Sequence, residues 1–130
     1  MPEIGASPAD QFPADQFIVE ASTVIVHRHG PNGQPEILMI QRARELSFAG
    51  SACVFPGGKV DAADRDLAVG LAPEDSAFRI AAIREVLEET GLVIGIAERA
   101  SATQAATARA LLAGGASFAE VLEALGWSLD

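Results

Sequence analysis

Very little in this chain is basic. Nine Lys and Arg stand against eighteen Asp and Glu, a net charge of −9. That balance argues against a nucleic-acid backbone or an anionic membrane surface as partner. An anionic substrate would need a cation to bridge it to such a protein. There is one cysteine, Cys53, which excludes an internal disulfide and fits a reducing compartment. Its neighbours read as a strand in which it is a small buried residue. His27 and His29 have no companion ligands and are expected as exposed hairpin residues. No apolar run approaches the roughly 20 residues that cross a bilayer. Residues 1–5 carry neither a basic region nor a long apolar stretch, so no signal peptide is read there. The expectation is an intracellular, cytoplasmic chain of one domain, with no internal repeat.

What the chain does have is apolar content, at 49% of its residues, enough for a real core. Residues 1–17 hold three prolines and read as a flexible arm. The domain is expected over 18–130. Residues 18–28 are β-branched and read as a strand, 29–35 as a turn and 36–42 as a second strand, a hairpin. Arg42 and Arg44 follow, either as solvated strand-end cations or as contacts for a substrate phosphate. Residues 51–55 read as a short strand, broken by Pro56-Gly57-Gly58, where consecutive glycines allow close backbone approach to a ligand. A helix is expected over 73–90, opened by Pro73-Glu74-Asp75. Residues 92–97 read as a strand or a buried extension. A helix follows over 101–113 with Ser101 as its cap, and Gly114-Gly115 ends it. Ser117 opens another, with Phe118, Val121, Leu122 and Leu125 on one face and Trp127 as its anchor.

Residues 84–92 read Arg-Glu-Val-Leu-Glu-Glu-Thr-Gly-Leu. Glu85, Glu88 and Glu89 stand at i, i+3 and i+4, so their carboxylates share one helical face. Ile80, Ile83 and Leu87 fall on the opposite face and are expected to bury against a sheet. Gly91 suits a left-handed helix end. The acids repel one another by a few tenths of a kcal/mol and oppose the helix dipole. Alone, such a run is more often a solvated acidic face. With a compensating cation it becomes an oxygen-only site suited to Mg²⁺ or Mn²⁺.

With Pro56-Gly57-Gly58 upstream of this run, the chain resembles the Nudix hydrolases. Their signature is Gly, five residues, Glu, seven residues, then Arg-Glu-apolar-x-Glu-Glu-x-Gly-apolar. The second half matches throughout. The first half fits as Gly58, five residues and Asp64, an Asp in place of Glu. Nineteen residues separate Asp64 from Arg84, so the box, 57–92, holds an insertion of twelve within 65–83. Glu74 and Asp75 lie nearer the family's spacing, but Asp64 stands at the right distance from Gly58. The wording Gly-Gly-Lys-Val-Asp-Ala-Ala-Asp and the insertion resemble the branch that includes coenzyme A and acyl-coenzyme A diphosphatases. The resemblance implies an α/β (α+β) fold, a mixed β-sheet with the box's loop and helix packed on it. The 38 residues after Leu92 read as helical, so the fold is expected to be incomplete at that end, with an open sheet edge prone to association.

The resemblance also implies a reaction. Family members hydrolyse a nucleoside diphosphate linked to another group. The metal ligands would be Glu85, Glu88 and Glu89, with the Gly57 carbonyl as a further oxygen. One of these glutamates, or an acid from a missing part of the fold, would take the proton from water. Arg84 is expected to pair with Asp64 and lock the loop onto the helix, while it can also pair with Glu88. Lys59 and Gly58, with Arg42 and Arg44, are the candidate substrate contacts. The partner is a small diphosphate, such as a coenzyme A derivative, ADP-ribose or a nucleotide sugar, and a homo-oligomer is allowed. The competing readings are a binding or regulatory module that holds its ligand uncleaved, and an inactive fragment.

Overall fold

The computed structural model describes residues 18–41 and 52–130. Arg42, Arg44 and the arm at 1–17 lie outside the described residues. No helix among those described is long and apolar enough to cross a membrane. The expected hairpin forms, but each of its strands is divided. β1 (Ala21–Thr23) and β2 (His27–His29) take the place of the first, and β3 (Pro35–Ile37) and β4 (Ile40–Gln41) of the second. β5 (Cys53–Val54) and β6 (Gly57–Lys59) follow. Three antiparallel ladders result: β1 with β6, β2 with β3, and β4 with β5. His27 and His29 are exposed on β2, as expected. Cys53 does lie in a strand, but it is exposed rather than buried.

β6 corrects the reading of Pro56-Gly57-Gly58 as a break. Gly57 pairs with Thr23 and Gly58 with Ser22. The bonds from Val24 N–H to the Pro56 carbonyl, 3.0 Å, and from Val60 N–H to the Glu20 carbonyl, 2.9 Å, extend the ladder on both sides. A Cβ on Gly57 would strike the Ser22 carbonyl. The missing side chain is therefore what lets the strand pair at all.

Four helices make the other layer: α1 (Ala62–Ala68), α2 (Ser76–Thr90), α3 (Ala102–Ala113) and α4 (Phe118–Leu125). α1 was not expected, and α2 starts three residues later than read, because Asp75 is its N-cap and Pro73 lies outside it. The insertion thus folds as the end of α1, a connection through 69–75 and the first turns of α2. Gly91 ends α2 at φ 74°, and its N–H donates to the Leu87 carbonyl at 2.9 Å. Ser101 and Ser117 each form a reciprocal capping box, with Gln104 and Glu120.

α2 is the centre of the arrangement. It touches β1 and β6 on one side and α1 and α3 on others, while α4 packs on α1 and α3. The apolar face expected to meet a sheet meets helices instead. Ile80 and Leu87 are buried with Ala108, Phe118, Val121, Leu122 and Trp127, and Ile83 packs at the edge of this cluster. Glu85 lies off this face, against Gly58 of β6, and Ala81, Ala82 and Val86 are buried outside the helical cluster. Beyond α4 the chain turns back, and Leu129 bridges to Ile96 in the extended segment after the box.

Candidate metal and phosphate site

Arg84 lies one residue before the acidic face of α2 and is 6% exposed, although it is an arginine. Its guanidinium accounts for that burial. Nε donates to Asp64 Oδ1 at 3.0 Å and Nη2 to Asp64 Oδ2 at 2.9 Å, a two-pronged pair with a fully buried carboxylate. Nη2 also donates to the Lys59 carbonyl at 3.0 Å and lies 3.3 Å from an Asp61 carboxylate oxygen. Nη1 turns the other way, toward Glu85 Oε1 at 3.0 Å and Glu88 Oε1 at 3.2 Å. One side chain therefore joins β6, the start of α1 and two of the three acids. The Asp64 hydrogen bond pushes the Arg84 pKa still higher, against the opposing effect of burial, so the group stays charged.

Asp64 has a second task. Its Oδ2 accepts the Asp61 N–H at 2.8 Å, closing the first turn of α1. That bond and the arginine fork together satisfy a carboxylate that could not otherwise be buried. Glu74 and Asp75, the other candidates for the upstream acid, are exposed and away from Arg84. Asp75 pairs with Arg79 at 3.0 Å.

Gly58 faces α2. A Cβ there would collide with the Glu85 carboxyl group. The close approach to Gly58 that was expected of a ligand is made by the Glu85 carboxyl group. Burial pushes the Glu85 carboxyl above the ordinary range. The Arg84 hydrogen bond and charge act against this, and repulsion from Glu88 and Glu89 adds to it. Partial burial raises Glu89 as well; hydrogen bonds with Glu85 and the Gly57 backbone oppose the rise, and the charge of Glu88 adds to it. Partial burial is the largest cause of both shifts.

The donor set suits a hard divalent ion: three carboxylates on one face, beside backbone oxygens of β6, with no nitrogen or sulfur. Among the described residues, however, no three His, Cys, Asp or Glu side chains are already gathered around one point at metal-binding distance. The reason is visible in Arg84, which draws Glu85 and Glu88 toward itself. Small side-chain rotations about a fixed backbone would be needed to turn them onto an ion. Lys59 is exposed on β6, and its ordered contribution is the carbonyl that Arg84 holds. Asp61 was not singled out as a partner of Arg84. Its signal was the Asp-x-x-Asp spacing of a capping box. An open groove of about 500 Å³ borders the end of α2 at Thr90 and Leu92 and is otherwise lined by β2, β3 and their flanks.

Three comparisons bear on the family of the chain. A NUDIX domain profile matches residues 19–110. A Caenorhabditis elegans protein provisionally named nudix hydrolase 7 is 40% identical over 57 residues, 44% of this chain and 17% of that protein. The crystal structure of a NUDIX hydrolase from Alicyclobacillus acidocaldarius superposes with a TM-score of 0.68 at 27% identity, over 87% of this chain and 57% of that one. The chain thus spans less than two thirds of either relative. The matched stretch includes the loop, the acidic helix and the arginine that joins them, and by that match the chain belongs to the Nudix hydrolase family.

Proposed function

We propose that this domain hydrolyses the pyrophosphate bond of a nucleoside diphosphate linked to a second group, using Mg²⁺ or Mn²⁺ held by Glu85, Glu88 and Glu89. The observation that carries the reading is the acidic turn itself, with Glu85 seated over Gly58 and Arg84 locked to buried Asp64. Like charges at the negative end of a helix weaken it, and three of them gathered beside a glycine strand have a use when a cation joins them. A bound divalent ion would neutralise phosphate oxygens and make a water more acidic.

The chain's own residues do the rest. The Arg84 fork fixes the height of α2 over β6, so that the three carboxylates and the Gly57 carbonyl lie on the same side. One of the three glutamates, or an acid supplied from outside this turn, accepts the proton of the attacking water. Lys59, with Arg42 and Arg44, supplies positive charge for the phosphates of a substrate approaching so acidic a protein. Within the substrate class, a coenzyme A or acyl-coenzyme A diphosphate is favoured by the Gly-Gly-Lys-Val-Asp-Ala-Ala-Asp wording and the insertion after Asp64. ADP-ribose and nucleotide sugars are the alternatives. The alternative from another class is a binding module that holds its ligand without turnover.

The test is calorimetric titration with Mn²⁺ of the wild type and of Glu88→Gln, followed by a panel of these diphosphates. Binding and turnover that Glu88→Gln removes, with its melting curve unchanged, are expected. A Glu88→Gln protein that binds metal and turns over like the wild type would sink the metal-site assignment. Metal binding without hydrolysis of any diphosphate would favour the binding module.

A further inference from the structure

α2 ends in a way its own sequence does not support. Its last turn holds Glu88 and Glu89 and no basic residue. The final carbonyls of a helix lack intrahelical partners and carry the negative end of its dipole. Gly91 supplies an N–H to the Leu87 carbonyl. The next two carbonyls are met from outside the helix. Arg109, on α3, donates Nε to the Glu88 carbonyl at 2.8 Å and Nη2 to the Glu89 carbonyl at 3.1 Å. Among the described residues no salt bridge joins Arg109 to a carboxylate. Its guanidinium is given to main chain.

The arm that carries Arg109 is packed into the core and capped. Its neighbour Ala108 is fully buried in the core, and α3 is capped by Ser101 and Gln104. Arg84 reaches the side chains of Glu85 and Glu88 but not that of Glu89. At the far end of the acidic turn the Glu89 side chain reaches Glu85 and the Gly57 backbone, while the Glu88 and Glu89 carbonyls are held from α3 by Arg109. We infer that Arg109 is a positioning residue for the acidic turn. It anchors the backbone of Glu88 and Glu89, so the direction of two carboxylates is set by the helical layer, and it places a cation where the dipole and the acids are most negative. α3 then belongs to the working site without touching substrate. This rests on the metal-site reading above.

Two measurements on Arg109→Gln and Arg109→Lys separate the possibilities. The first is Mn²⁺ affinity by calorimetry, with Glu88→Gln as the control. The second is amide hydrogen exchange of residues 88–92 in metal-free protein, which needs no ion. Arg109→Gln is expected to weaken Mn²⁺ binding about tenfold, the usual cost of removing a group that orients metal ligands. It should also speed exchange at 88–92 while the amides of α4 keep their protection. Arg109→Lys keeps the charge but not the fork, and should recover part of the affinity. Wild-type binding that is lost in Glu88→Gln but unchanged in Arg109→Gln, or exchange at 88–92 unchanged in Arg109→Gln, would overturn this inference alone. So would exchange that rises equally in α4, which would make Arg109 a general packing residue. Metal binding insensitive to Glu88→Gln would overturn the site reading beneath it.

Discussion

On one side α2 meets helices, and Ile80 and Leu87 are shut in with Phe118, Val121, Leu122 and Trp127. On the other it meets β1 and β6 through Arg84, Glu85 and a bond from Ser22 Oγ to the Phe78 carbonyl. The strands themselves bury no residue fully, and Ile25, Ile37 and Met39 are exposed. The contrast separates two tasks. Apolar packing, which has no direction, holds α2 in place. Charge pairs and close glycine contacts, which do have direction, decide what that helix presents.

If this division is real, damage should differ by side. The largest loss of stability is expected for Phe118→Ala, which empties the centre of the helical layer; about 4 kcal/mol is typical for such a cavity, read from urea unfolding. Asp64→Ala is expected to lose about 3 kcal/mol, because it leaves the Arg84 charge buried with fewer partners. It should also lower turnover more than an equally destabilising change among α3 and α4. Equal turnover in the two at matched stability would erase the distinction between the sides.

Glu85→Gln should move stability the other way. The Glu85 carboxyl is pushed up mainly by burial, so the fold holds a proton that the unfolded chain releases. Stability is lost as pH rises from the ordinary carboxylate range through the raised one. In chelator, Glu85→Gln should therefore melt higher than wild type near neutral pH, and the gap should close on acidification. A gap that widens in acid would reverse the sign assigned here. The smallest effect is expected on the strand side. Ile37 is already 53% exposed, so Ile37→Thr should stay within about 0.5 kcal/mol. A large loss there would mean that this face is covered in solution.

The acidic face, the closing Gly91 and the caps of α3 and α4 were legible because each is written within one or two helical turns. Ser101-x-x-Gln104 and Ser117-x-x-Glu120 carry their own partners in sequence. The pairing of Asp64 with Arg84 could be expected only from the resemblance to the family's signature. α1 went unread because its capping acid at the third position is an Asp, and seven residues are few for a periodic signal. β6 was hidden because two glycines look like a turn, whereas here a neighbouring strand requires them. The helical partner of Ile80 and Leu87 was beyond reach for a different reason. A periodic apolar face shows that something is buried, not which element covers it. Arg109 left only an indirect trace, an acidic helix end in want of a cation.

Gly57 and Gly58 are adjacent and chemically identical, yet each is required by a different neighbour. A side chain on the first would strike the main chain of Ser22, and on the second the Glu85 carboxylate. In a saturation library, variants at 57 should disappear from the pool of expressed protein, while variants at 58 should persist as a folded but silent population. Two neighbouring codons would then report separately on whether the domain forms and whether it works.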